Sequence, residues 1–160
     1  ESLKLALASI DFPKSVPLDF SYRHFEVRLP IACWRKANQI HHFIVENYGK
    51  GVDDCKSIYL TDGELGQILD VIKEVGNDPV KAEKLLPPTE GFFFGSQEID
   101  RCYWQDLAYT KDVLEKTLAY QNEQARIYKE AELKEYQKPL KDRTFLDPKR
   151  FDSFRYRASW

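Results

Sequence analysis

Apolar residues recur along this chain at helical spacing, in stretches separated by glycine and proline. Trp34, Ala37, Ile40, Ile44 and Tyr48 follow one another at intervals of three or four, the repeat that puts side chains on one stripe of an α-helix. The pattern predicts a helix from about Ile31 to Tyr48, stopped by Gly49 and Gly51. Thr61-Asp62-Gly63-Glu64 is a capping-box sequence, in which the Thr oxygen accepts from the third helical amide and the Glu reaches back. Behind it Leu65, Ile68, Leu69, Ile72 and Val75 predict a second helix ending at Gly76. Asp78-Pro79, an acidic cap followed by proline in the first turn, predicts a short helix to about Leu86. A long helix is expected from about Gln97 to Tyr136, with Leu107, Leu114, Leu118, Ala125 and Tyr128 on one face. Its later part is charge-rich and weakly apolar, as suits a segment that projects or packs on a partner chain.

Strand signals are fewer. Phe20, Tyr22, Phe25, Val27 and Leu29 stand at near-alternate positions and Pro30 follows them, which predicts a strand over 19–29. Gly91-Phe92-Phe93-Phe94-Gly95-Ser96 reads as a brief extended piece, and 52–59 as a connection. The expected fold is α+β and helix-dominated, with a small antiparallel strand element, amphipathic helices and one long C-terminal helix. Residues 1–137 form a single globular domain in this reading. Residues 138–160 form a basic, aromatic tail that docks on the domain or on a partner.

The first predicted helix carries unusual polar residues. At about 100° per residue, His41 falls within the apolar arc, whereas Arg35, Asn38 and His42 share one shoulder of it and Lys36 and Gln39 face elsewhere. A guanidinium, an amide and an imidazole side by side match the donors that hold a phosphate or carboxylate. The plainer alternative is a solvated shoulder beside a core histidine satisfied by a carboxylate or carbonyl. Asp53 and Asp54 are the candidate partners, or else turn formers.

Composition narrows the function classes. The length of 160 residues favours one domain, and an aromatic content of 14% argues against a wholly disordered chain. A net charge of -2 gives no argument for nucleic acid or membrane binding. Cys33, Cys55 and Cys102 form an odd set without a CxxC pair, which fits reduced thiols in a cytosol. No run approaches the roughly 18 apolar residues of a membrane span. The segment ESLKLALASIDF lacks a basic start and a full apolar core, and it is not expected to act as a signal peptide.

The tail has seven Lys or Arg against three Asp. Its candidate partner-binding residues are Arg150, Phe151, Phe154, Arg155, Tyr156, Arg157 and Trp160. Interleaved basic and aromatic residues can hold single-stranded nucleic acid, but the three Asp dilute the charge and the aromatics favour docking. Zinc needs three or four close N or S ligands, and the scattered Cys and His do not supply them. No metal site and no cofactor are expected. A Cys55 or Cys102 nucleophile working with His41 lacks any sign of thiol activation. No Walker loop, Rossmann fingerprint or nucleophile elbow is present.

Several blocks then combine. Trp34-Arg35-Lys36-Ala37-Asn38 with Ile40-His41, Gly51-Val52-Asp53-Asp54-Cys55, Leu85-Leu86-Pro87, the Gly91–Ser96 block, Asp100 and Tyr103 together resemble a family of small tailed-phage and prophage proteins. The order and spacing are similar over roughly residues 25–118. This chain departs from the pattern at Cys33, where an aromatic is expected, and at His42. The resemblance implies a phage origin, an intracellular site of action in the infected bacterial host, and a signature of Trp34, Arg35, Asn38, His41, Asp53, Asp54, Ser96, Asp100 and Tyr103. It implies no mechanism.

The reading is therefore of a non-enzymatic accessory protein, with no catalytic residues assigned, that binds and modulates a host or anti-phage-defence component. The alternative is a protein that sequesters a nucleotide or other small phosphorylated ligand, or a phosphodiester-cleaving enzyme using His41 with Asp53, Asp54 or Asp100. Nucleic acid is the weaker partner, no membrane is expected, and the long helix offers a route to a homo-oligomer.

Overall fold

The computed structural model describes residues 29–90, 96–144 and 153–158. Four α-helices and one two-stranded sheet are present among them: α1 (Asn38–Tyr48), β1 (Ile58–Leu60), α2 (Asp62–Val75), α3 (Pro79–Leu85), α4 (Arg101–Tyr136) and β2 (Phe154–Tyr156). The fold is α+β and dominated by helix.

α2 forms where the capping box predicts it. Thr61 N–H donates to Glu64 Oε2 at 2.6 Å, and Glu64 N–H donates to Thr61 Oγ1 at 3.3 Å. These bonds satisfy donors that a helix start leaves without intrahelical partners. Leu65, Ile68, Leu69, Ile72 and Val75 are all buried, and Gly76 closes the helix in a left-handed conformation with φ 55°. Asp78 caps α3 by accepting from Val80 and Lys81 N–H.

The main packing lies between α2 and α4. α4 presents Tyr103, Leu107, Thr110, Leu114, Thr117 and Gln121 to the core, at alternating steps of four and three. That 3.5-residue repeat keeps one seam against a neighbouring helix. Full burial of each aliphatic side chain contributes roughly 1.5–3 kcal/mol. Two polar members of the seam are bonded. Gln121 Nε2 donates to Asp62 Oδ1 at 3.0 Å, and Thr110 Oγ1 donates to the Asp106 carbonyl at 2.6 Å. Beyond Gln121 no residue of α4 is buried. Arg126 pairs there with Glu123 and Glu130, while Ile127, Leu133 and Tyr136 are exposed. At 1.5 Å per residue α4 is roughly 54 Å long.

β1 and β2 pair antiparallel, with Ile58 opposite Tyr156 and Leu60 opposite Phe154. The expected connection over 52–59 thus ends in a strand, too short to carry an alternating pattern of its own. Gly49 allows β1 to come close to α1. A Cβ there would lie 2.7 Å from Ile58 Cδ1 and 2.8 Å from the Val45 carbonyl oxygen.

Two helix starts differ from expectation. α1 begins at Asn38, not near Ile31, because Lys36 takes a left-handed φ of 68° and Asn38 N–H donates to the Lys36 carbonyl at 2.9 Å in a tight turn. Trp34 and Arg35 therefore precede the helix. α4 begins at Arg101, not Gln97, because Asp100 takes the capping position in extended conformation. The strand expected over 19–29 and the Phe92–Phe94 piece fall almost wholly outside the described residues, as do Arg150, Phe151 and Trp160 of the tail.

Candidate functional site

The signature residues other than Asp54 separate into two places. The first is a clasp around His41, which is 6% exposed on α1. His41 Nε2 lies 3.1 Å from Asp53 Oδ2, and Nδ1 lies 2.9 Å from Tyr156 Oη. A carboxylate only accepts, so in the neutral ring Nε2–H donates to Asp53 and the Tyr156 hydroxyl donates to Nδ1. Trp34 covers the assembly, its ring 6.1 Å from that of Tyr156 and 6.2 Å from that of Tyr109. Its Nε1–H donates to Thr110 Oγ1 at 2.8 Å. The loop after α1 and the distant strand β2 thus meet at one histidine.

An Asp–His–Tyr chain has the connectivity of a nucleophilic triad, but the electrostatics oppose that role. Burial, and after it the Asp53 charge, hold the Tyr156 phenol far above its ordinary range. An activated oxygen nucleophile needs an adjacent base that draws its proton off or a lowered pKa; here the phenolate is disfavoured twice. The arrangement ties β2 to α1.

The second place is a cleft of about 270 Å³ between the 35–39 segment and the start of α4. Arg35, Ser96, Asp100 and Tyr103, four of the signature residues, line it. Asn38 braces its wall. Its Nδ2–H donates to the Ser96 carbonyl at 3.1 Å, and its Oδ1 accepts from Thr89 N–H at 3.3 Å. Asp100 Oδ1 accepts from Tyr103 N–H at 3.0 Å, and the Tyr103 hydroxyl donates to the Leu86 carbonyl at 2.9 Å. Burial pushes the Tyr103 phenol up to about 12.

The remaining predictions resolve individually. The shoulder of Arg35, Asn38 and His42 does not exist as one surface. Arg35 lies before the helix, Asn38 is buried, and His42 lines a different cleft of about 280 Å³ with Phe43, Glu46 and Lys84. Asp54 makes turn chemistry, accepting from Lys56 N–H at 3.1 Å and pairing with its ammonium, which holds the carboxyl below its usual range. In the tail, Phe154 is buried against the core, Arg155 and Arg157 are exposed, and Tyr156 is the clasp residue. Among the described residues no cluster of His, Cys, Asp and Glu could hold a metal ion, and no helix is long and apolar enough to cross a membrane.

Five cleft residues were not singled out from sequence: Lys36, Gln39, Glu98, Gln105 and Asp106. Asp106 follows Tyr103 by three positions, which places both on neighbouring parts of one helical face; that spacing was a usable signal. Burial raises the Asp106 carboxyl, the Gln39 amide draws it down in part, and the Asp100 charge raises it again. Gln39 is 3% exposed, and its Nε2 forms no hydrogen bond of good geometry. No sequence pattern marks it, since a glutamine beside a helix start is ordinarily solvated.

No protein-family model matches the chain. Comparison with curated proteins and with solved structures likewise finds no match.

Proposed function

We propose that this chain is a non-catalytic binding protein, an accessory protein of a tailed phage or prophage that attaches to a host or anti-phage-defence component inside the infected bacterium. The observation that carries the non-catalytic reading is the engagement of both His41 ring nitrogens by Asp53 and Tyr156. The phosphodiester-cleaving alternative needs one of those nitrogens to reach a water or hydroxyl, and it needs carboxylates that are not already capping α4 or closing a turn. The distal part of α4, with exposed Ile127, Leu133 and Tyr136, supplies apolar surface for a protein partner. Crosslinking of the tagged chain in infected cells tests this. The expected result is one stoichiometric, identified host protein joined through residues 122–136. Crosslinks confined to the chain itself would overturn it.

A second reading has its own support: four signature residues converge on one cleft. A small-molecule ligand held there would bias or gate the protein contact. Nuclear magnetic resonance titration reads it directly, through shifts localised to Arg35, Ser96 and Tyr103.

A further inference from the structure

We propose that the cleft between the 35–39 segment and the first turns of α4 binds a small zwitterion with the charge pattern of a free α-amino acid. This assignment deepens the second reading above and rests on it. The cleft carries both signs of charge. Arg35 and Lys36 are exposed at its edge and make no side-chain hydrogen bond or ion pair with another described residue. Asp100, Asp106 and Glu98 also line it. A simple anion such as phosphate would gain the two cations and meet three acidic groups. A simple amine would meet the reverse. A ligand with a carboxylate at one end and an ammonium at the other complements both sets.

Gln39 supplies an independent observation. Its side chain lines this cleft and the neighbouring one that holds His42, is almost wholly buried, and keeps Nε2 without a hydrogen bond of good geometry, its amide lying only close enough to Asp106 to draw that carboxyl down. Buried donors are almost always satisfied, and an exception calls for an explanation. A ligand carboxylate oxygen held by Arg35 would accept from it. The ammonium would lie between Asp100 and Asp106, two carboxylates at the start of α4 whose repulsion a cation relieves. Size agrees: about 270 Å³ falls just below the range of about 300–1,000 Å³ typical of drug-sized ligands. Lys36 holds its left-handed φ of 68° at the edge of this cleft, and such conformations in non-glycine residues gather at ligand sites.

The test is titration of the full chain, labelled with ¹⁵N, against free α-amino acids, trimethylglycine, acetate, butylamine and inorganic phosphate. Saturable shifts at the cleft are expected with one or more amino acids. Trimethylglycine, which lacks N–H donors, and the single-charge probes should bind roughly tenfold more weakly or worse. Arg35→Ala and Gln39→Leu should each weaken the amino acid by roughly tenfold while retaining a dispersed spectrum and a cooperative melt. Amino acids that bind no better than acetate or phosphate overturn the proposal. If phosphate alone binds, and Arg35→Ala abolishes it, the cleft remains a ligand site and only the zwitterion is lost. If no probe binds, both fall, and the protein-partner reading is untouched.

Discussion

His41 and Gln39 stand two residues apart on α1, about 200° around its axis, and both are buried. Their surroundings could hardly differ more. Each ring nitrogen of His41 has a partner, one from the loop after α1 and one from the distant strand β2. The Gln39 amide looks onto a cleft, and its Nε2 lacks a well-formed bond. The clasp joins chain segments and is complete without any added group. The cleft holds charges of both signs, a strained backbone and a donor whose approach to Asp106 is poorly formed. A buried donor without a partner costs about 1–3 kcal/mol, whereas a completed bond contributes only about 1 kcal/mol net. The contrast puts a completed structural contact on one side of α1 and, on the other, the cleft proposed above as a ligand site.

That contrast can be broken by substitution. The largest effect is expected from His41→Ala, which opens a cavity and strands the Tyr156 hydroxyl and the Asp53 carboxylate. It should destabilise the fold by about 3 kcal/mol in chemical denaturation. Amide exchange at 154–156 should accelerate most, because β2 loses its tie to α1. If exchange accelerates uniformly along the chain, the clasp has no special hold on the tail.

Tyr156→Phe removes one bond and keeps the ring, so about 1 kcal/mol should be lost at neutral pH. The sign on the alkaline side is fixed by the raised phenols. The ordinary tyrosine value is 10.0, with Tyr103 pushed up to about 12 and Tyr156 higher still. A group whose folded pKa is raised contributes stability that is fully present below its unfolded pKa and is lost as pH rises through the folded one. The wild type should therefore weaken progressively above pH 10.0, and Tyr156→Phe should weaken less over the same window. Parallel melting curves for the two across that window would remove the phenol from the clasp.

Gln39→Leu should behave in the opposite way to His41→Ala. It replaces an ill-satisfied amide with an apolar side chain of similar volume, so stability should be unchanged or rise by up to about 1 kcal/mol. A loss comparable to that of His41→Ala would mean that the amide is structurally bonded. The smallest effect belongs to Asp106→Asn. The Asp106 carboxyl is raised chiefly by burial, so its ionisation opposes folding, and the wild type loses stability as pH climbs through that raised value. The variant should melt slightly higher at neutral pH, with the gap closing in acid. A lower melting temperature at neutral pH would show that the carboxylate is wanted in the folded state.

Local chemistry was legible where it was self-contained. The capping box at Thr61 and Glu64 and the proline-led start of α3 depend on residues within four positions of one another, and the structure has both. The apolar faces of α2 and of the first half of α4 follow from spacing alone, and so did His41 as a buried residue with an acidic partner nearby. The start of α1 was not legible. Trp34 has the right spacing for the helical stripe, yet it gains a bond to Thr110 and a tilted ring contact with Tyr156, and periodicity cannot register contacts made 76 residues away. The short strands were missed for the same reason: three residues form β1 only because the tail pairs with them.

What the sequence determined by itself is the set of helices, the caps of α2 and α3 and the apolar faces that drive the helices together, since these follow from propensities and periods that act over one or two turns. Only the tertiary structure decided that Tyr156 completes the His41 pair, that Arg35 and His42 belong to different clefts, and that Gln39 is buried without a well-formed bond. Those are properties of which distant segments meet. They depend on burial, which removes water as the default partner and leaves an ordinary polar side chain either in a satisfied clasp or with a poorly formed bond.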